Sequence, residues 1–368
     1  MAHIETTPEL LTSRLPGMSK SPHGIAIMYC CLSLSSTITA ACIEGLFIHK
    51  NTVNWNGVSY TIYPLLYNFS TLVDFALLNP IMIFYLLRAL SRILLLPSGL
   101  NPRKASPSPI GWPTTLACML LSVTLMAGYF IGFLRGRFFD AVIALAPDGR
   151  RLITVTGWLV FFWTSVAIYF LLIGVIGQLR YLRFVLRLRA IDVAYDPFHA
   201  DDLAGMRELA EPALDFLKAM ACLLAVFALF AIYDLVVFHI NESDRLWALA
   251  VYAAVVIPFF FIPTHHLHRL MKARREELLA RSLEPFKKRE LSILQSNWTN
   301  PDSCKELLAE VAAFRELRTW FSTVPTWPLP TRTLIRAYVY FGGVLSPLLS
   351  KVVPFLWDAF KLTRHSGP

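Results

Sequence analysis

Charge is what this sequence has least of. Asp, Glu, Lys and Arg together make up 16% of its 368 residues, against 55% hydrophobic residues, and the mean hydropathy is +0.52. Ordinary soluble domains carry about a quarter charged residues, so a water-soluble globular enzyme is excluded as a reading of the whole chain. Cysteine is also sparse. Cys30, Cys31, Cys42, Cys118, Cys222 and Cys304 show no metal-ligand spacing and call for no disulfide. A phosphate-binding glycine loop, a nucleophile elbow and a local metal signature are all absent, so no soluble catalytic domain is indicated and no cofactor is named. The net charge of +9 comes without any nucleic-acid-binding motif, which argues against a nucleic-acid partner. Residues 1–24 lack the basic start, apolar core and small-residue cleavage site of a secretory leader, so the first apolar run is expected to stay as an anchor.

What is present is a series of long apolar runs. A membrane-crossing helix needs about 20 mostly apolar residues, and seven stretches qualify: 25–48, 72–96, 112–134, 152–179, 213–240, 246–264 and 334–357. The chain is therefore expected to be all-α, a polytopic helical membrane protein of about seven spans. Lys and Arg favour the cytoplasmic side of a bilayer. An inside N-terminus places Arg88, Arg92, Arg103, Lys104, the arginines between 180 and 189 and the dense run from Arg269 to Arg332 in the cytoplasm. Only Lys50, Arg135, Arg137, Arg150, Arg151, Arg245, Lys361 and Arg364 then lie outside. The expected division is a six-span membrane domain over 1–264, a cytoplasmic helical hairpin over 265–332, and a last span with its tail over 333–368. The setting is the cell membrane, a bacterial inner membrane, with the lipid bilayer as first partner.

Several residues within this frame carry candidate chemistry. The first span presents Ser33, Ser35, Ser36, Thr37 and Thr39 with Ala40 and Ala41, a small hydroxyl-bearing face suited to close helix packing. Glu44 falls in its outer turn, within reach of the interface. Asp74 lies inside the second span, where a carboxylate is a functional candidate that needs a partner. The topology offers Arg135 or Arg137, and a structural ion pair near the surface is the alternative. Asn79 and Pro80 are expected to kink that span. Arg135, Arg137, Arg150 and Arg151 would form a positive external vestibule that concentrates anions, or would pair with Asp140, Asp148 and lipid phosphate. Past the fourth span, Arg180, Arg183, Arg187 and Arg189 recur every two to four positions on a helix leaving the membrane. Asp215 and Lys218 stand three residues apart and can pair.

Two loops repeat a wider pattern. The segment Asp192–Met206, with Asp196, Pro197, His199, Asp201, Asp202 and Gly205, and the Trp327–Pro328–Leu329–Pro330–Thr331–Arg332 lead-in to a proline-containing last span resemble a family of uncharacterised bacterial multi-span membrane proteins. The resemblance covers about a fifth of the chain, departs from the family's usual histidine–proline–aspartate junction at Ala200, and implies topology but no activity. His199, Asp201 and Asp202 share the expected cytoplasmic side with His265, His266 and His268. Imidazoles and carboxylates together suit a divalent metal, and helix capping by Asp201 or Asp202 is the competing reading.

The sixth run passes into polar sequence at His265 without a loop signal, so one helix is expected to carry on from membrane to cytoplasm. Asn300–Pro301 reads as the start of a second cytoplasmic helix. The last run holds Tyr338, Gly342, Gly343, Ser346, Ser350 and Lys351, and an intramembrane lysine should face protein or water. These are the candidate pore or gating residues, unless the segment is a re-entrant hairpin bent at Pro347. The leading expectation is a homo-oligomeric ion channel whose last span lines the pore and whose cytoplasmic helices mediate assembly or gating, passing ions or a small solute. In outline it is similar to insect chemoreceptor channels, which share seven spans, an inside N-terminus and a helical anchor before the last span. A secondary transporter, and a membrane sensor or metal-dependent membrane enzyme, are the alternatives; no internal repeat of the kind transporters carry is evident.

Overall fold

Ser21 opens the first helix by accepting a hydrogen bond from the Gly24 N–H, 3.2 Å away, with Pro22 at the first helical position where a missing N–H costs nothing. The computed structural model describes residues 21–46, 51–55, 58–62, 69–95, 110–134, 154–190, 206–238, 243–294, 301–324, 326–330, 332–333, 335 and 339. The helices are α1 (Pro22–Ile43), α2 (Phe69–Val73), α3 (Asn79–Leu95), α4 (Trp112–Leu134), α5 (Val155–Arg187), α6 (Arg207–Phe238), α7 (Ser243–Leu294) and α8 (Pro301–Thr323); a π-helical turn, Asp74–Leu78, joins α2 to α3. The helical expectation holds. One addition is a two-stranded antiparallel hairpin, β1 (Asn51–Trp55) with β2 (Val58–Ile62). Asn56–Gly57, standing between the strands, is the sequence signal for such a hairpin.

Among the described residues, four stretches are long and apolar enough to cross a membrane: Pro22–Ile43, Thr71–Leu94, Trp112–Tyr129 and Val155–Arg187. Their side chains are distributed as a lipid solvent requires. On α1 the buried face is Ala26, Tyr29, Ser33, Thr37, Ala40 and Ala41, while Ile27, Met28, Leu32, Ile38 and Ile43 are exposed. On α4 a narrow stripe of Cys118, Ser122 and Met126 is buried, and Leu116, Met119, Leu120, Leu121 and Leu125 face out. Small and polar groups inside with large apolar groups outside is the reverse of a soluble helix and the pattern of a helix in hydrocarbon. Four helices of this length and apolarity are compatible with a helical membrane protein.

The described residues fall into two compact units. The first comprises Met1–Leu90, Ile110–Gly177 and Asp215–Tyr252; the second comprises Ser91–Pro109, Gln178–Leu214 and Ala253–Pro368. Within the first, α1 runs antiparallel to the π-turn and α3, since Cys30 meets Ala76 while His23 stacks on Phe84. It is also antiparallel to α5, because Glu44 reaches Val155 while Tyr29 reaches Trp163. Helices α3 and α5 are parallel and touch at a notch, where a Cβ on Gly174 would stand 2.5 Å from Leu86 Cδ2 and one on Gly177 would stand 2.2 Å from Leu90 Cδ2. Small residues let two backbones approach this closely. Gly177→Ala should destabilise the fold by about 1–3 kcal/mol through overpacking, and Leu90→Ala in the same chain should recover part of that loss. Thermal unfolding in detergent checks both, and an unchanged midpoint in Gly177→Ala would show that the notch does not hold α3 to α5.

In the second unit, the end of α5 buries Gln178, Tyr181 and Val185, the start of α6 buries Leu209, Ala210 and Ala213, and α7 buries Phe260, Leu267 and Met271. The Tyr181 hydroxyl donates to the carbonyl of Leu209. Helix α7 is continuous over 52 residues, from the sixth apolar run through the charged stretch, as its lack of a loop signal predicts. Helix α8 begins at Pro301, one residue after the Asn300 expected to cap it.

Candidate functional site

Two polar sites stand out, one in each unit. The first is built on Pro80. Proline has no N–H, so the carbonyl four residues back, on Ala76, has no donor along the helix. The backbone there widens into the π-turn, with the Asn79 N–H bonding the Asp74 carbonyl, and the Cys30 thiol on α1 lies 3.4 Å from the Ala76 carbonyl oxygen. Widened turns of this type recur at functional sites in helices. Here the turn carries Asp74, buried with 7% of its surface exposed. Asn79 Nδ2 donates to Asp74 Oδ2 at 2.9 Å and lies 3.4 Å from the Tyr29 hydroxyl oxygen, whose own hydrogen goes to the Trp163 carbonyl at 3.1 Å. Phe75 and Trp163 pack edge-on against the Tyr29 ring. The network continues to Ser36, which accepts from the Trp163 indole N–H at 2.9 Å.

Glu44, expected only to reach the interface, has a defined task in this unit. Gly45 closes α1 in the left-handed conformation, φ 68°, where the Gly45 N–H reaches the Cys42 carbonyl and the Leu46 N–H reaches the Ala41 carbonyl. This helix-ending motif favours glycine because a Cβ is strained there. It leaves Glu44 at the start of α5, where its carboxylate accepts from the Val155 N–H (2.6 Å), the Thr156 N–H (3.1 Å) and the Thr156 hydroxyl (2.5 Å). A carboxylate on the free N–H groups at the positive end of a helix is favourable. Beside it, Ser35, Ser36, Thr39, Ala40, Ile43, Glu44 and Val155 line a groove of about 530 Å³.

The second site lies on α7, in the second unit. His268 Nδ1 is 2.8 Å from the Thr326 carbonyl oxygen, and its ring stacks on Trp327 with centroids 4.2 Å apart. Because a carbonyl only accepts, that nitrogen carries the hydrogen. Arg275 Nη1 reaches the Val324 carbonyl at 3.5 Å. The turn after α8 is thus held against α7 by stacking and by two bonds to its own backbone. His266 Nε2 lies 3.4 Å from the Leu188 carbonyl oxygen at the end of α5. Further along, Glu277 sits between Arg274 (2.6 Å) and Arg281 (2.5 Å), and the Arg274 hydrogen bond, helped by both positive charges, holds its carboxyl below the usual range. No protein-family model, curated protein or solved structure matches this chain.

The expected site residues divide accordingly. Asp74 joins Asn79 and Tyr29. Its expected partners Arg135 and Arg137, like Arg150 and Arg151, lie outside the described residues, as do His199, Asp201, Asp202, Tyr338, Gly342, Gly343, Ser346, Ser350 and Lys351. His266 and His268 turn to carbonyls of different segments, and His265 is exposed. Among the described residues no group of three or more His, Cys, Asp or Glu side chains could hold a metal ion. Asp215 and Lys218 do pair, at 3.6 Å, and Arg88 joins them at 3.4 Å from the same carboxylate. Gln178 was not anticipated at all. Pro263 leaves the Phe259 carbonyl without its helical donor, and Gln178 Nε2 supplies one at 3.3 Å.

Proposed function

We propose that this chain forms a gated ion channel in the cell membrane: a homo-oligomer of seven-span subunits with an inside N-terminus, its last span lining the pore. The observation that carries this reading is the junction on α7. A single helix joins an apolar run to a charged one, and the turn leading into the last apolar run is clasped to it by His268, Trp327 and Arg275. A displacement along α7 is then delivered to the start of the last span, which is what gating requires. In support of it, α3 and α5 in the first unit run parallel to each other and antiparallel to α1 and α6, as alternate crossings would.

Planar-bilayer recording of the purified protein under asymmetric salt tests it. Discrete unitary currents are expected. Lys351→Glu should shift the reversal potential, because a charge beside a narrow pore acts directly on the ions passing it. Trp327→Ala should change open probability while leaving unitary conductance alone. Currents absent from a monodisperse oligomer, or a reversal potential unmoved in Lys351→Glu, would remove the last span from the pore. A secondary transporter is the second reading, favoured by the broken helix beside Asp74, since irregular turns near a buried polar group are where transporters bind their cargo.

A further inference from the structure

The polar network around Asp74 is complete except at one atom. Asp74 Oδ2 has its donor in Asn79, and the Tyr29 hydroxyl hydrogen is committed to Trp163. Asp74 Oδ1 is buried and accepts no hydrogen bond from the described residues, and no cationic side chain among them pairs with the carboxylate. On α1, which packs against the π-turn, the Thr37 hydroxyl oxygen is likewise buried without a partner. A carboxylate in a membrane interior is costly unless one positive charge accompanies it.

The donor chemistry narrows what that charge is. The acceptors gathered here are oxygens, the carboxylate of Asp74 and the hydroxyl of Tyr29, and Asn79 positions them through its amide nitrogen, 2.9 Å from Asp74 Oδ2 and 3.4 Å from the Tyr29 oxygen. Oxygen sets suit hard cations and disfavour thiolate- or imidazole-seeking metals. A single carboxylate balances a single positive charge, whereas a divalent ion would leave one charge uncompensated in a medium of low dielectric. The π-turn adds main-chain carbonyls whose helical bonding is already disturbed by Pro80, the kind of backbone that ligates alkali ions within membranes.

We propose that Asp74, Asn79 and Tyr29 form a binding site for one alkali-metal cation inside the first unit. The proposal requires binding only, so it stands apart from the reading of the last span as a pore.

Equilibrium binding of radioactive sodium to the full-length protein in nanodiscs of zwitterionic lipid tests it, with choline holding ionic strength constant and potassium and lithium as competitors. Saturable binding near one ion per chain is expected, displaced by at least one of the competitors. Asp74→Asn keeps the shape and the acceptor for Asn79 but removes the charge, and should abolish that binding. Tyr29→Phe and Asn79→Ser should weaken it by about tenfold or more, as loss of a supporting group does at ion sites. Should Asp74→Asn fail to fold, these two variants decide the matter. No saturable binding to the wild-type protein, or binding undiminished in all three variants, overturns the proposal. So does stabilisation that follows pH with no response to any alkali ion, because the compensating charge would then be a proton.

Discussion

Gln178→Leu is expected to lower the stability of the folded protein by about 1–3 kcal/mol, and adding Pro263→Ala to it should restore most of that loss. The reason is one carbonyl. Pro263 cannot donate to Phe259, so the donor comes from Gln178 Nε2 on α5, whose side chain is fully buried. An unpaired carbonyl in an apolar interior costs its full desolvation penalty, about 1–3 kcal/mol. Gln178 Oε1 is itself buried and has no hydrogen-bond partner among the described residues, and deleting it offsets part of the cost. An alanine at 263 regains the N–H and closes the helical bond to Phe259, which makes the glutamine dispensable. The two changes must therefore be strongly non-additive. Thermal unfolding of the four proteins in one detergent measures this. Additive losses would mean that the glutamine does not serve the proline's carbonyl.

Local chemistry made much of this fold legible in the sequence. The apolar run 112–134 coincides with α4, Pro301 starts α8, and the absence of any break at His265 gave a helix unbroken to Leu294. The disturbance expected at Asn79–Pro80 is present, as a π-turn just before the proline. The hairpin at 51–62 was signalled by Asn56–Gly57 and hidden behind its aromatic residues. What sequence could not show are bonds between distant segments. Glu44 caps a helix 111 residues further on, and Gln178 serves a carbonyl 81 residues away; neither pairing leaves a mark on local spacing. Asp74 was matched with arginines by sign, but its described partner is Asn79, five residues along the same chain. The histidines at 266 and 268 are different. Two positions apart on a helix is about 200° of rotation, so elementary geometry already turns them to opposite sides.

The largest loss is expected where the fold buries a charge outright. Asp215 on α6 has 1% of its side chain exposed and is met by Arg88 at 3.4 Å and Lys218 at 3.6 Å. Both cations are 41% exposed, and they lie near the rings of Phe84 and Tyr85, at 5.9 and 5.1 Å from the ring centres. The triad is thus asymmetric: the acid depends on its partners, while each cation has water and an aromatic face to fall back on. Arg88→Met with Lys218→Met removes both cations from the buried carboxylate and should cost about 3–5 kcal/mol. Asp215→Leu on its own should cost far less. Combining all three substitutions should return the unfolding midpoint close to that of the native chain, because an apolar replacement of a whole buried ion group is near neutral. If the triple variant is no more stable than the double, the loss lies in packing by the long side chains and not in the stranded charge. If Asp215→Leu proves the most damaging single change, the two cations are more deeply desolvated than their exposure indicates, and the acid is what makes their burial tolerable.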